Sequence, residues 1–161
     1  METGRRLIKI YYFAYGSNMS SRRLKERIPS ACSVNTARLN NYRFICNKIG
    51  GNRVCYANIE YDENSHLYGV IYKLKPDDFN TLDIYEGNYQ RKEVKVETTS
   101  QDINAITYIS DYTSNDLQVA DWYQEHIIRG AREHQLPAEY IQTIKEELNH
   151  KREADWRISN G

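Results

Sequence analysis

No stretch of this chain is long and apolar enough to span a bilayer, and no long apolar segment follows Arg5-Arg6. Neither a membrane contact nor a signal peptide is expected. Net charge is also missing, because 22 Lys and Arg balance 22 Asp and Glu. That removes the overall positive footprint of a nucleic-acid binder. The three cysteines, Cys32, Cys46 and Cys55, are odd in number and form no Cys-x-x-Cys. They point to reduced thiols in a cytoplasmic protein rather than to zinc or a disulfide framework. His66, His126, His134 and His150 lack metal-ligand spacing, so no metal is expected. The Gly-Lys pattern of a Walker loop and the three-glycine dinucleotide fingerprint are both absent.

What is present is tyrosine, 14 residues against 3 phenylalanines. Rings with a polar tip suit half-exposed sheet surface, and a few would line a pocket. Strands are expected over residues 8–15, 37–47, 54–61, 66–74, 91–98 and 105–110. The clusters Gly50-Gly51-Asn52 and Asp62-Glu63-Asn64-Ser65 separate three of them as turns. Helices are expected over 20–28, 76–85, 117–134 and 137–149. A length of 161 residues fits one domain. Strands first and helices interspersed, then clustered at the end, argue for an α+β domain. The tail over 151–161 is polar apart from Trp156 and Ile158. It either stays loose or packs back through Trp156.

Two segments carry chemistry. In the first, the β-prone run through Tyr12, Phe13, Ala14 and Tyr15 stops at Gly16-Ser17-Asn18, and a basic helix follows. A strand, a small-residue turn and a helix start gather main-chain N–H groups, with partial positive charge, at one point. Such a turn suits a carboxylate or a developing oxyanion. The basic run Arg22-Arg23-Lys25-Arg27 is a solvated helix face that would also attract anionic small molecules.

The second segment runs from Pro76 to Gly87, a helix with Pro at its start, acids in its first turn and Gly past its end. Phe79, Leu82 and Glu86 fall on one face. Glu86 thus extends an apolar stripe and sits where the helix dipole disfavours negative charge. Both effects raise a carboxyl pKa, which suits a base working near neutral pH. The bland alternative is an exposed Glu paired with Arg91 or Lys92.

Together these segments resemble the γ-glutamyl cyclotransferase-like family. The matching motifs are Tyr12-Phe13-Ala14-Tyr15-Gly16-Ser17-Asn18 and Leu82-Asp83-Ile84-Tyr85-Glu86-Gly87. Tyr68-Gly69-Val70-Ile71-Tyr72-Lys73-Leu74, Tyr123 ahead of Gly130-Ala131, and Leu136-Pro137-Ala138-Glu139-Tyr140 also match. The likeness covers about residues 8–148 of a single domain. It implies a small, strongly bent mixed β-barrel of about six strands with flanking helices. It implies a cofactor-independent enzyme that releases 5-oxoproline from γ-glutamyl compounds by attack of their own α-amine. Glu86 matches the family's acid/base. Tyr12, Phe13, Ala14, Tyr15, Gly16, Ser17 and Asn18 match its substrate cradle, and Tyr123 matches a tyrosine that touches substrate. A homodimer is implied as well. The leaving amine stays open between an amino acid, glutathione, an isopeptide and an antibiotic precursor, with Gly-Ser-Asn closer to the amino-acid branch. The competing class is a non-catalytic small-molecule-binding or interaction domain on the same fold.

Overall fold

The computed structural model of the chain describes residues 9–160, with side chains described through residue 151. Five strands form one sheet: β1 (Ile10–Ala14), β2 (Cys32–Ile49), β3 (Cys55–Leu74), β4 (Gln90–Glu97) and β5 (Asp102–Ile109). They close into a barrel in the order β1-β3-β2-β4-β5. The seam between β1 and β5 is parallel, at Tyr12 opposite Ile106, and the other pairings are antiparallel. The helices are α1 (Ser21–Arg27), α2 (Pro76–Tyr85), α3 (Asp121–Glu133) and α4 (Ala138–Asn160). The mixed α+β barrel is therefore present. Residue 8, where the first strand was expected to begin, lies outside the described residues.

The strand count is five rather than about six because the strands expected over 54–61 and 66–74 are one strand, β3, which begins at Cys55. Asp62-Glu63-Asn64-Ser65 does not turn the chain back. The register steps from Asn40 opposite His66 to Tyr42 opposite Tyr61, so four residues of β3 face Asn41 alone. Asn41 absorbs the mismatch with a φ of 69°, a conformation Asn tolerates better than most residues. On β3 the Asp62 carboxylate accepts from Asn64 N at 3.0 Å and Ser65 Oγ at 2.8 Å. Turn-forming residues here make a large bulge in a continuous ladder, which bends it.

The third helix starts at Asp121 rather than 117. Cys55 N donates to Gln118 O at 2.8 Å and Gln118 N to Arg53 O at 3.2 Å. Main-chain pairing with the start of β3 keeps residues near 118 extended, overriding local helix preference. At the other end, α4 continues to Asn160, so the polar tail is helical through that residue. The side chains of Trp156 and Ile158 lie outside the described residues.

Core packing sets the frame of the site. Phe13, Ile59, Leu67, Ile71 and Val96 from the strands, Phe79 and Leu82 from α2, and Ile127 and Ile144 from α3 and α4 are buried together. Phe79 and Leu82 form the apolar stripe that the sequence indicates. Burial of such side chains contributes about 1.5–3 kcal/mol each, and it fixes how the end of α2 meets the barrel. A single 3-10 turn, Ser17–Met19, links β1 to α1. Helix α3 crosses that turn at Gly130, where a Cβ would lie only 2.4 Å from Ser20 N. Glycine permits this approach.

Candidate active site

A cavity of about 540 Å³ opens where the end of β1, the Ser17–Met19 turn, α1, the end of α2 and the first turn of α3 converge on β2 and β3. Seven of its lining residues are tyrosines: Tyr12, Tyr15, Tyr56, Tyr85, Tyr89, Tyr108 and Tyr123. Several are buried, and they are the part of the tyrosine set expected to line a pocket, while Tyr11, Tyr42 and Tyr68 on the strands are only partly buried. They serve as pocket wall and as hydrogen-bonding scaffold.

Glu86 caps the C-terminus of α2, with its N–H donating to Leu82 O at 2.9 Å. Its side chain is partly buried on the cavity wall. The Asn18 carboxamide nitrogen donates to Glu86 Oε1 at 3.2 Å and to the Tyr12 hydroxyl at 3.1 Å. The two segments singled out in the sequence thus meet through side chains. Arg91 is occupied elsewhere: it pairs with Asp83 at 2.8 Å.

Burial raises the Glu86 pKa above the ordinary carboxylate value. Arg27, Lys48, Arg23 and the Asn18 amide each pull it back down, and desolvation outweighs them. Five of the surrounding phenols are pushed up. Burial, then the Glu86 charge, raises Tyr12 and Tyr15. Burial also dominates at Tyr89, Tyr108 and Tyr123. Those hydroxyls stay protonated near neutral pH and act as hydrogen-bonding groups. Glu86 is the carboxylate among the cavity-lining residues.

The opposite wall is ordered by Ala57. Its N–H donates to the Tyr123 hydroxyl at 2.8 Å, and its carbonyl accepts from the Tyr89 hydroxyl at 2.6 Å. Tyr123 therefore keeps its own hydroxyl proton free for donation. Gly16 approaches the same place, where a Cβ would sit 3.0 Å from Ala57 Cβ and 3.6 Å from the Tyr123 hydroxyl. The Tyr15 hydroxyl donates to Tyr108 O at 2.6 Å, and the Tyr108 hydroxyl donates to Asp83 Oδ1 at 2.6 Å. This relay ties the end of β1 to β5 and to α2.

Of the residues indicated by the sequence, Tyr12, Tyr15, Gly16, Ser17, Asn18, Glu86 and Tyr123 line the cavity. Phe13 and Ala14 do not. Phe13 is fully buried in the core, its carbonyl accepting from Thr107 Oγ1 at 2.7 Å, and Ala14 is buried with it. Three cations were not assigned there individually. Arg23 Nε donates to Ser17 Oγ at 3.0 Å and stacks over Trp122, Arg27 stacks over Tyr85, and Lys48 lies over Tyr56 and Tyr89. The basic run at 22–27 foreshadows the arginines. Lys48 follows a bulge between Cys46 and Lys48 in a long strand, and sequence pattern gives no sign of it.

Among the described residues, no group of three His, Cys, Asp or Glu side chains could hold a metal ion. Cys46 and Cys55 are buried with sulfurs 3.0 Å apart, and Cys32 is exposed.

Comparison with known proteins agrees with this fold. The pattern defining the AIG2-like family matches residues 66–144. A human (Homo sapiens) protein named gamma-glutamylcyclotransferase is 32% identical over 145 residues, covering 83% of this chain and 76% of that protein. The bovine (Bos taurus) protein of the same name is 32% identical over 138 residues, covering 80% of this chain and 73% of its own length. A solved structure named gamma-glutamyl cyclotransferase superimposes with a TM-score of 0.78 at 28% identity, covering 86% of this chain and 87% of that one. At this identity, and over this share of both chains, the chain belongs to the gamma-glutamylcyclotransferase family.

Proposed function

We propose that this protein releases 5-oxoproline and a free amino acid from a γ-glutamyl amino acid, with Glu86 as base and then acid. The observation that carries the reading is the meeting of the partly buried Glu86 carboxyl with the Asn18 amide on the wall of one cavity.

The substrate supplies its own nucleophile. Its α-amine attacks the side-chain carbonyl carbon, a C–N bond forms and closes a five-membered lactam, and the bond to the leaving nitrogen breaks. Ring closure from a well-oriented conformer removes on the order of 7–11 kcal/mol of barrier. Proton handling remains. Glu86 takes a proton from the α-ammonium, freeing the lone pair, and passes it to the departing nitrogen as the C–N bond breaks. The ring nitrogen then sheds its second proton through the same carboxylate, so the lactam keeps one N–H and the released amine leaves as its ammonium. The sum is redox-neutral and needs no cofactor to balance.

Local chemistry supports each role. Desolvation gives Glu86 a basicity above that of an ordinary carboxylate, while the Asn18 amide aims it. The Gly16–Ser17 main chain lies on the cavity wall and would receive either the substrate α-carboxylate or the oxyanion. The Tyr123 hydroxyl, already accepting from Ala57, has its proton to give to a substrate oxygen. Phe13 and Ala14 support the cradle from behind.

The test is direct. The protein is incubated with γ-glutamyl amino acids, glutathione, a γ-glutamyl-ε-lysine isopeptide and a γ-glutamyl alkylamide, and 5-oxoproline is measured by mass spectrometry. Release from γ-glutamyl amino acids is expected. Binding without 5-oxoproline from any compound would instead identify a non-catalytic binding domain. The homodimer and the cytoplasmic location belong to the same proposal, and light scattering decides the first.

A further inference from the structure

Charge in the cavity is lopsided. Arg23, Arg27 and Lys48 line it against the single carboxylate of Glu86, in a chain whose net charge is zero. Two cations come from α1 and one from β2, so they reach the cavity from different walls.

Their settings are specific. Lys48 is 7% exposed, and its ammonium lies 5.5 Å and 5.0 Å from the Tyr56 and Tyr89 ring centres. The Arg27 guanidinium stands 4.7 Å from the Tyr85 ring centre and that of Arg23 5.4 Å from Trp122. Stacking on a ring face orients a guanidinium while its N–H edge stays open to a carboxylate. Tyr85 and Trp122 are half-exposed, which places the arginines toward the outer part of the cavity.

A γ-glutamyl group with a neutral amino acid carries two carboxylates and one ammonium. The ammonium is matched by Glu86, and the glutamyl carboxylate or the oxyanion by the turn. Three cations are more than the one remaining carboxylate requires. An additional negative charge on the leaving half restores the balance. A leaving half with a free ammonium, such as lysine released from an isopeptide, meets repulsion instead.

Building on the γ-glutamyl reading above, we infer that Arg23, Arg27 and Lys48 form a subsite for an acidic leaving group, so that γ-glutamyl-glutamate or γ-glutamyl-aspartate is preferred. Electrostatic complementarity of this kind sets specificity and encounter rate more than raw affinity. The preference therefore weakens as salt rises.

The experiment compares kcat/KM for γ-glutamyl-glutamate, γ-glutamyl-alanine and γ-glutamyl-ethylamide, in wild type and in Arg27→Gln, Arg27→Lys and Lys48→Gln. The expected wild-type order is glutamate, then alanine, then ethylamide. The glutamate-to-alanine ratio should fall about tenfold in Arg27→Gln, in the range a charge-assisted hydrogen bond supplies, and Arg27→Lys should recover part of it. Using a ratio separates the subsite from any general loss of activity, and calorimetry with the Glu86→Gln variant gives the same ratio for binding. A ratio of one or less in wild type overturns the inference, as does a ratio unmoved in both Arg27→Gln and Lys48→Gln. Absence of 5-oxoproline from every compound is a different failure and removes the catalytic reading. Even then, the binding ratio decides the subsite.

Discussion

Asn18 and Glu86, 68 positions apart in sequence, are joined by one hydrogen bond of 3.2 Å. The same amide nitrogen also donates to Tyr12. A donor fixed at one end by a buried phenol holds the carboxylate to one orientation. It also favours the charged form, against the desolvation that opposes it. Burial thus raises the basicity of this site, while Asn18 both tempers it and aims the carboxylate.

The first consequence concerns Glu86 itself. Glu86→Gln preserves shape and can still accept from the Asn18 amide, but it cannot take a proton. We expect 5-oxoproline release to fall by about 10²–10⁴, the usual share of a positioned acid/base. Substrate affinity should change far less. Single-turnover kinetics alongside calorimetry check both, and near-native turnover in this variant would remove Glu86 from the mechanism.

A second prediction follows from the donor. Asn18→Leu removes the group that stabilises the Glu86 charge, so its pKa rises further. The acid limb of the kcat/KM profile, where the base must be ionised, should move to higher pH. A loss of rate with an unmoved limb would mean that Asn18 acts on substrate rather than on Glu86.

How far the sequence revealed this site depended on how local each signal was. Glu86 broke two local rules, an apolar stripe and a helix end, and both are visible in ten residues. The Gly16-Ser17-Asn18 turn was equally local. Lys48 was not, because a bulge between Cys46 and Lys48 sets its exposure to the cavity. Tyr89 and Ala57 meet only through strand register. The Asp62–Ser65 cluster misled for the opposite reason: its residues favour turns, yet pairing with β2 resumes on either side of them and leaves them as a bulge within one strand. The extended run before Asp121 was likewise imposed by Arg53 and Cys55 rather than by its own residues.

Stability should depend on pH through the same carboxyl. Burial raises the folded-state pKa of Glu86 above its unfolded value. Between those two values the folded chain keeps a proton that the unfolded chain has lost. Its contribution to stability is therefore fully present below the unfolded value and is lost as pH rises through the folded one. Gln does not titrate. The thermal midpoint of Glu86→Gln relative to wild type should increase as pH rises from the ordinary carboxylate range toward neutrality. A difference that is flat, or falls with pH, would contradict a destabilised carboxylate.

The last prediction tests the frame that holds the turn. At Gly130 an added Cβ would meet Ser20 N at 2.4 Å, Met19 C at 2.6 Å and Met19 Cβ at 2.7 Å. Two of those atoms are main chain, so no side-chain rotation relieves the clash. Alanine would gain about 1 kcal/mol of helix propensity over glycine, but overpacking of this kind costs typically 1–3 kcal/mol and here would need backbone movement. Gly130→Ala should lower the thermal midpoint by several degrees. It should also reduce turnover, because α3 carries Tyr123 and the displaced turn carries Ser17 and Asn18. Gly51→Ala is the control: its added Cβ meets nothing within 4 Å, and its midpoint should stay within about a degree of wild type. Equal midpoints for the two variants would show that α3 can yield without disturbing the turn.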